Sequence, residues 1–131
     1  MANARKVAAN VLVKIEKQGA YSNLAVAEAL KGTELSSQDK ALATALIYGV
    51  LDRKITIDFV LSRFVKTALS KTEAFTLAVL RCAVYQIMFM DKIPHSAAVN
   101  EAVKLIKNSK MSRNSGFVNG VLRSILRSDI T

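Results

Sequence analysis

The stretch Ala74–Met90, AFTLAVLRCAVYQIMFM, is apolar nearly all round a helix, and no other part of the sequence constrains the fold as much. A helix without a polar face has to be covered on every side, by lipid or by other helices. The stretch is slightly shorter than the roughly 20 residues that span a bilayer, and Arg81 sits near its middle. A central helix in a soluble core is therefore expected, with no membrane partner. Met1–Lys17 mixes Arg5, Lys6, Lys14 and Lys17 among its apolar residues, so no secretory signal is visible and a cytoplasmic location is expected.

The flanking sequence supplies helices to wrap it. From Asn3 to Gln18 the positions Val7, Ala8, Val11, Leu12 and Ile15 keep the spacing of one helical face, and Gly19 is placed to stop that helix in the left-handed conformation. Ser22 is expected to cap a short helix, Asn23–Leu30, which Gly32 closes. Ser36 and Ser37 are cap candidates for a third helix through about Val50, with Asp39 in its first turn. A fourth segment, Ile57–Val65, groups Ile57, Val60, Leu61, Phe64 and Val65 on one side. Thr72 is the expected cap of the fifth helix, Glu73–Met90.

Pro94 fixes an extended turn and disfavours helix at Ile93. Ser96 is expected to cap a sixth helix to about Asn108, burying Ala98, Val99, Ala102, Val103 and Ile106. A polar loop, Ser109–Asn114, leads to a last helix, Ser115–Ser128, with the apolar stripe Phe117, Val118, Val121, Leu122 and Ile125. No stretch alternates as a strand would, and five Gly with one Pro are too few for the tight turns of an all-β fold. The expected fold class is all-α, about seven helices around the fifth. At roughly 100–200 residues per domain, residues 1–131 are expected to form one domain.

Residues that catalysis would need are sparse. Cys82 lies inside the apolar helix, where a thiol behaves as a small hydrophobe and is not activated. His95 is the only histidine and has no companion for a metal site. Gly116 and Gly120 stand four apart in a helix with no preceding strand, so they are not a phosphate loop. Their expected role is to let a neighbouring helix approach a column of Gly116, Gly120 and Ser124. Asp58, Glu73, Asp91 and Glu101 are isolated carboxylates. No catalytic residue, metal or cofactor is expected in this chain.

Charge is the informative remainder. Lys and Arg number 19 against 10 Asp and Glu, a net charge of +9 that favours a polyanionic partner. Asn119, Arg123 and Arg127 are spaced i, i+4, i+8 opposite the apolar stripe of the last helix. Asn100, Lys104 and Lys107 form a similar ridge, continued by Lys110 and Arg113. The first helix adds Arg5, Lys6 and Lys14, and the connection after Asp52 adds Arg53 and Lys54. These side chains suit phosphate contacts, and arginine also stacks on unpaired bases. For any one of these residues a solvated face that confers solubility, as on a protein-docking module, is the plainer reading, whereas the clusters together with the net charge favour a polyanion. The aromatic residues fall mostly on apolar faces, Tyr21 in a loop excepted, so no stacking platform is evident.

The run IPHSAAVNEAVKLIKNSKMSRNSGFVNGVLRSILRS, Ile93–Ser128, resembles the NusB family, and the likeness extends upstream through ARKVAANVL, GAYSNLAVAEAL and LAVLRCAVYQIMF to about Ala4. One branch of that family is the free-standing transcription antitermination factor, which binds boxA RNA with ribosomal protein S10. The other is the N-terminal domain of the Sun/Fmu (RsmB-type) 16S rRNA cytosine-5 methyltransferases. GAYSN at Gly19–Asn23, LIYGVLDR at Leu46–Arg53, HSAAVNEAV at His95–Val103 and GFVNGVLRSILR are more similar to the second branch. Antitermination factors more often have an acidic residue where Arg123 stands. Asp52 departs from the methyltransferase pattern, where a basic residue is common.

The resemblance implies a fold of two small helical bundles and an RNA-binding function, with 16S rRNA as the expected partner and a methyltransferase domain acting in cis. It also implies that S-adenosylmethionine and the two catalytic cysteines belong to a part missing here, since the chain has no Pro-Cys motif and no Gly-rich strand–helix turn. The alternative is a stand-alone antitermination factor with S10 as its partner.

Overall fold

Asn3 starts the first helix, its side-chain oxygen accepting the backbone N–H groups of Arg5 (2.9 Å) and Lys6 (3.1 Å). The computed structural model describes residues 3–19 and 22–128. Helix α1 runs Ala4–Gln18 and ends at Gly19, whose φ of 60° is the left-handed conformation expected there. Helix α2, Ser22–Lys31, begins at Ser22 itself, and Gly32 follows it without a positive φ. Tyr21 lies outside the described residues. Ser36 caps α3 (Ser37–Asp52), its hydroxyl accepting from the Asp39 N–H at 3.1 Å.

Only Arg53 separates α3 from α4, which spans Lys54–Ser62. The helix therefore starts three residues before the expected Ile57, because the Arg53 carbonyl already accepts from the Ile57 N–H at 2.9 Å. Its inward face is the expected one, with Ile57, Val60 and Leu61 buried, and Val65 follows in the turn. Helix α5, Ala74–Phe89, is capped by Glu73 and not by Thr72. The longer carboxylate reaches back to the N–H of Phe75 (3.0 Å) and Thr76 (2.8 Å), and an anion at this end suits the helix dipole.

Helix α6 spans His95–Lys107 with Pro94 at its cap position, so Ser96 sits inside the first turn. Proline loses nothing there, since its missing N–H has no partner to make, while its carbonyl accepts from Ala97 and Ala98. A short 3-10 turn, Ser112–Asn114, leads into α7, Ser115–Arg127.

Helix α5 packs against α1, α3, α4, α6 and α7, and one buried cluster draws side chains from all seven α-helices among the described residues. None of these helices is long and apolar enough to cross a membrane. Arg81, the cation inside the apolar run, is held by Asp58 of α4 through two bonds of 2.8 and 2.9 Å. At Gly49 α3 lies so close to the Tyr85 ring that any Cβ would overlap it. Gly116 and Gly120 do not play the expected steric role: a Cβ at either would meet open space, because α7 turns that face to solvent. Phe117 is 38% exposed, at the edge of the stripe that Val118, Val121, Leu122 and Ile125 bury.

Candidate nucleic-acid interface

Helices α6 and α7 pack against each other, and the 3-10 turn between them touches both. That adjacency brings Lys104, Lys107, Lys110, Arg113, Asn119, Arg123 and Arg127 onto neighbouring elements. Between Glu101 and Asp129 the sequence has six basic residues and no acidic one. The four apolar side chains of the α7 stripe point into the core, which leaves Arg123 and Arg127 exposed. Arg123 Nε donates to Asn119 Oδ1 at 3.2 Å, and Arg127 Nη2 donates to Ser124 Oγ at 3.2 Å. Neutral acceptors thus orient both guanidinium groups along the helix without cancelling their charge.

The turn before α7 is itself anchored. Asn114 Nδ2 donates to the buried Thr76 hydroxyl at 3.1 Å, and that hydroxyl donates to Glu73 at 2.7 Å. Burial raises the Glu73 pKa, but the hydrogen bonds from Phe75 and Thr76 together with the Lys17 charge outweigh it, and the carboxyl is held below its ordinary value. A carboxylate at the head of α5 therefore fixes where the basic turn ends and α7 begins.

The remaining candidates divide. Lys14 pairs with Glu28 at 3.4 Å, and Lys54 pairs with Glu16 at 3.1 Å. Arg53 lies 3.7 Å from Asp52 and 5.0 Å over the Phe89 ring, which in turn is tilted against Tyr85. Lys104 has Glu101 at 3.5 Å, an exposed pair of little strength. Among the described residues, Arg5, Lys6, Lys107, Lys110, Arg113, Arg123 and Arg127 have no carboxylate in ion-pair range. Arg5 and Lys6 part company, as adjacent helical residues do. Arg5 lines a crevice with Ala98, Ala102 and Leu105 of α6, whereas Lys6 borders a groove with Asn10, Thr33 and Glu34.

The helical pattern left two features out of view. Gln86, a lone amide in the apolar helix, is 1% exposed and bonded to Arg5. Nothing in the pattern singles out Ile55 and Phe59, which stand 89% and 65% exposed one turn apart on α4. Cys82 is buried, and burial pushes its thiol up to about 12 despite the nearby Arg5 and Arg81 charges, so it is no nucleophile at neutral pH.

Fold and surface together define an all-helical domain, among the described residues, with a run of cations on its last two helices and the turn between them. The chain belongs to the NusB family, whose model matches residues 2–127. It is 39% identical to the probable ribosomal RNA small subunit methyltransferase B of Bacillus subtilis (strain 168), over 98% of this chain and 28% of that protein. The chain thus spans under a third of the length of that relative. It is 35% identical to transcription antitermination protein NusB of Bacillus licheniformis, over 97% of this chain and 95% of that protein. The same fold is found in a crystal structure of antitermination factors NusB and NusE in complex with dsRNA, with a TM-score of 0.86, 20% identity, and coverage of 95% of this chain and 93% of that one.

Proposed function

We propose that this chain is an RNA-binding accessory domain that brings 16S rRNA to a cytosine-5 methyltransferase domain in the same polypeptide, in the cytoplasm, and that it is not catalytic by itself. The observation that carries the reading is the run from Lys104 to Arg127, six cations uninterrupted by an acid on two helices packed together and the turn that joins them. Likeness to a fraction of a longer rRNA methyltransferase supports a role as one part of such an enzyme. In this reading S-adenosylmethionine binds the catalytic part, and the unreactive Cys82 only fills the core.

The alternative, a free-standing antitermination factor acting on boxA RNA with S10, has the near-complete mutual coverage with the Bacillus licheniformis protein in its favour. Titration of the chain with 16S rRNA fragments, with boxA RNA plus S10, and with S-adenosylmethionine separates them. Salt-sensitive binding of 16S rRNA and no heat with the cofactor are expected. A stoichiometric cofactor site would overturn the accessory-domain reading, and a clear preference for boxA RNA with S10 would put the alternative first.

A further inference from the structure

Two arginines meet at α5, Arg81 on the helix itself and Arg5 from α1, and they are held in opposite ways. Arg81 is neutralised by the Asp58 carboxylate, with its side chain 12% exposed. Arg5 instead donates its Nε–H to the Gln86 side-chain oxygen at 2.8 Å. The Gln86 amide nitrogen donates in turn to the Cys82 carbonyl at 2.9 Å, one turn back along α5. A buried amide costs stability unless it is partnered, and a leucine would fill this apolar position more cheaply. Gln86 keeps both its oxygen and its nitrogen engaged, and among the described residues the only side chain it engages is Arg5. The backbone of Arg5 is pinned as well, by the Asn3 cap.

A guanidinium has five N–H donors, and the bond to Gln86 uses the one on Nε. Among the described residues no hydrogen bond or ion pair takes the Nη groups. The neutral amide therefore fixes the plane of the fork while its charge survives, beside the inner edge of α6 that Ala98, Ala102 and Leu105 form.

We propose that Gln86 is a positioning residue: it holds Arg5 as a pre-oriented phosphate fork and so adds the start of α1 to the RNA footprint. The inference rests on the RNA-binding reading. A fork whose orientation is fixed before the ligand arrives loses less side-chain freedom on binding than a free arginine does.

The test is a double-mutant cycle on the full chain, read by anisotropy of a fluorescein-labelled single-stranded fragment of 16S rRNA across a salt series. Gln86→Met keeps volume and removes the acceptor, so about tenfold weaker binding is expected, the scale of one lost charge-assisted contact. Arg5→Ala should weaken binding comparably and flatten the salt slope by about 0.7. In the Arg5→Ala background, Gln86→Met should have no further effect on affinity. A Gln86 that merely stabilises the core would instead weaken binding equally in both backgrounds, and that outcome overturns the proposal. Should the Gln86 variant fail to fold, Arg5→Lys serves: it keeps the charge but lacks Nε–H. Weaker binding at unchanged salt slope is then expected, and wild-type affinity sinks the idea. Wild-type chain without salt-dependent affinity defeats the RNA reading itself, whereas wild-type binding indifferent to Arg5 defeats only this one.

Discussion

Glu73 acts as a cap and as a brace, because one carboxylate accepts from two backbone N–H groups and from the Thr76 hydroxyl. Capping of this kind is worth about 1 kcal/mol, so Glu73→Ala is expected to lower unfolding stability by about that much at neutral pH. The sign of its pH dependence follows from the direction of the shift. The folded-state value lies below the ordinary 4.5, so the native chain binds fewer protons at Glu73 than the unfolded chain does. Its contribution is complete above 4.5 and is lost as pH falls through the folded value. Urea melts of wild type and Glu73→Ala should therefore differ at pH ~7 and converge toward pH ~3. A gap that widens on acidification would show that the carboxylate is not the stabilising form. At the same scale, Asp58 and Arg81 illustrate what spacing hides. They are 23 residues apart on different helices, and no local pattern pairs them.

At the scale of elements, packing at a single crossing decides the sign of a substitution. Alanine is a better helix former than glycine by about 1 kcal/mol, so Gly→Ala inside a helix ordinarily stabilises. Gly49 lies inside α3, yet a Cβ there would overlap the Tyr85 ring. Tyr85 cannot swing away freely, since it packs against Phe89 at 5.4 Å and Arg53 lies over Phe89. Gly49→Ala is expected to destabilise by about 1–3 kcal/mol, the range for overpacking. Adding Tyr85→Ala removes the overlap, so the double variant should lose less than the sum of the singles in chemical denaturation. Stabilisation by Gly49→Ala alone would mean that the crossing is looser than described. Periodicity made the seven helices, their inward faces and the centrality of α5 legible, because burial of an apolar stripe is written residue by residue. Helix starts were less legible. Glu73 and Pro94 take the cap positions where Thr72 and Ser96 carry the usual cap chemistry, since geometry several residues downstream decides which residue leaves the helix.

For the whole molecule the question is which cations face a polyanion together. Sequence spacing disclosed the α7 ridge, because i, i+4, i+8 positions stack whatever the tertiary fold. It could not disclose that Lys14 and Lys54 meet Glu28 and Glu16, residues 14 and 38 positions away. Nor could it place Arg5 beside α6, which depends on how α1 crosses α5. The pairing predicts unequal contributions. If RNA neutralises about four to six positions, the slope of log affinity against log salt should lie near −3 to −4, at about −0.7 per phosphate of a single strand. Arg123→Ala with Arg127→Ala should flatten that slope by about one to one and a half units, with helicity unchanged by circular dichroism. Lys14→Ala with Lys54→Ala removes the same formal charge from cations that already have carboxylate partners and are expected to touch no phosphate. Their slope should stay within about 0.3 of wild type, less than half of one phosphate contact. Equal flattening by the two pairs would mean that net charge, and not a face built by α6 and α7, attracts RNA. The exposed Ile55 and Phe59 of α4 would then be the better guide, and a protein-docking role would displace the RNA-binding one.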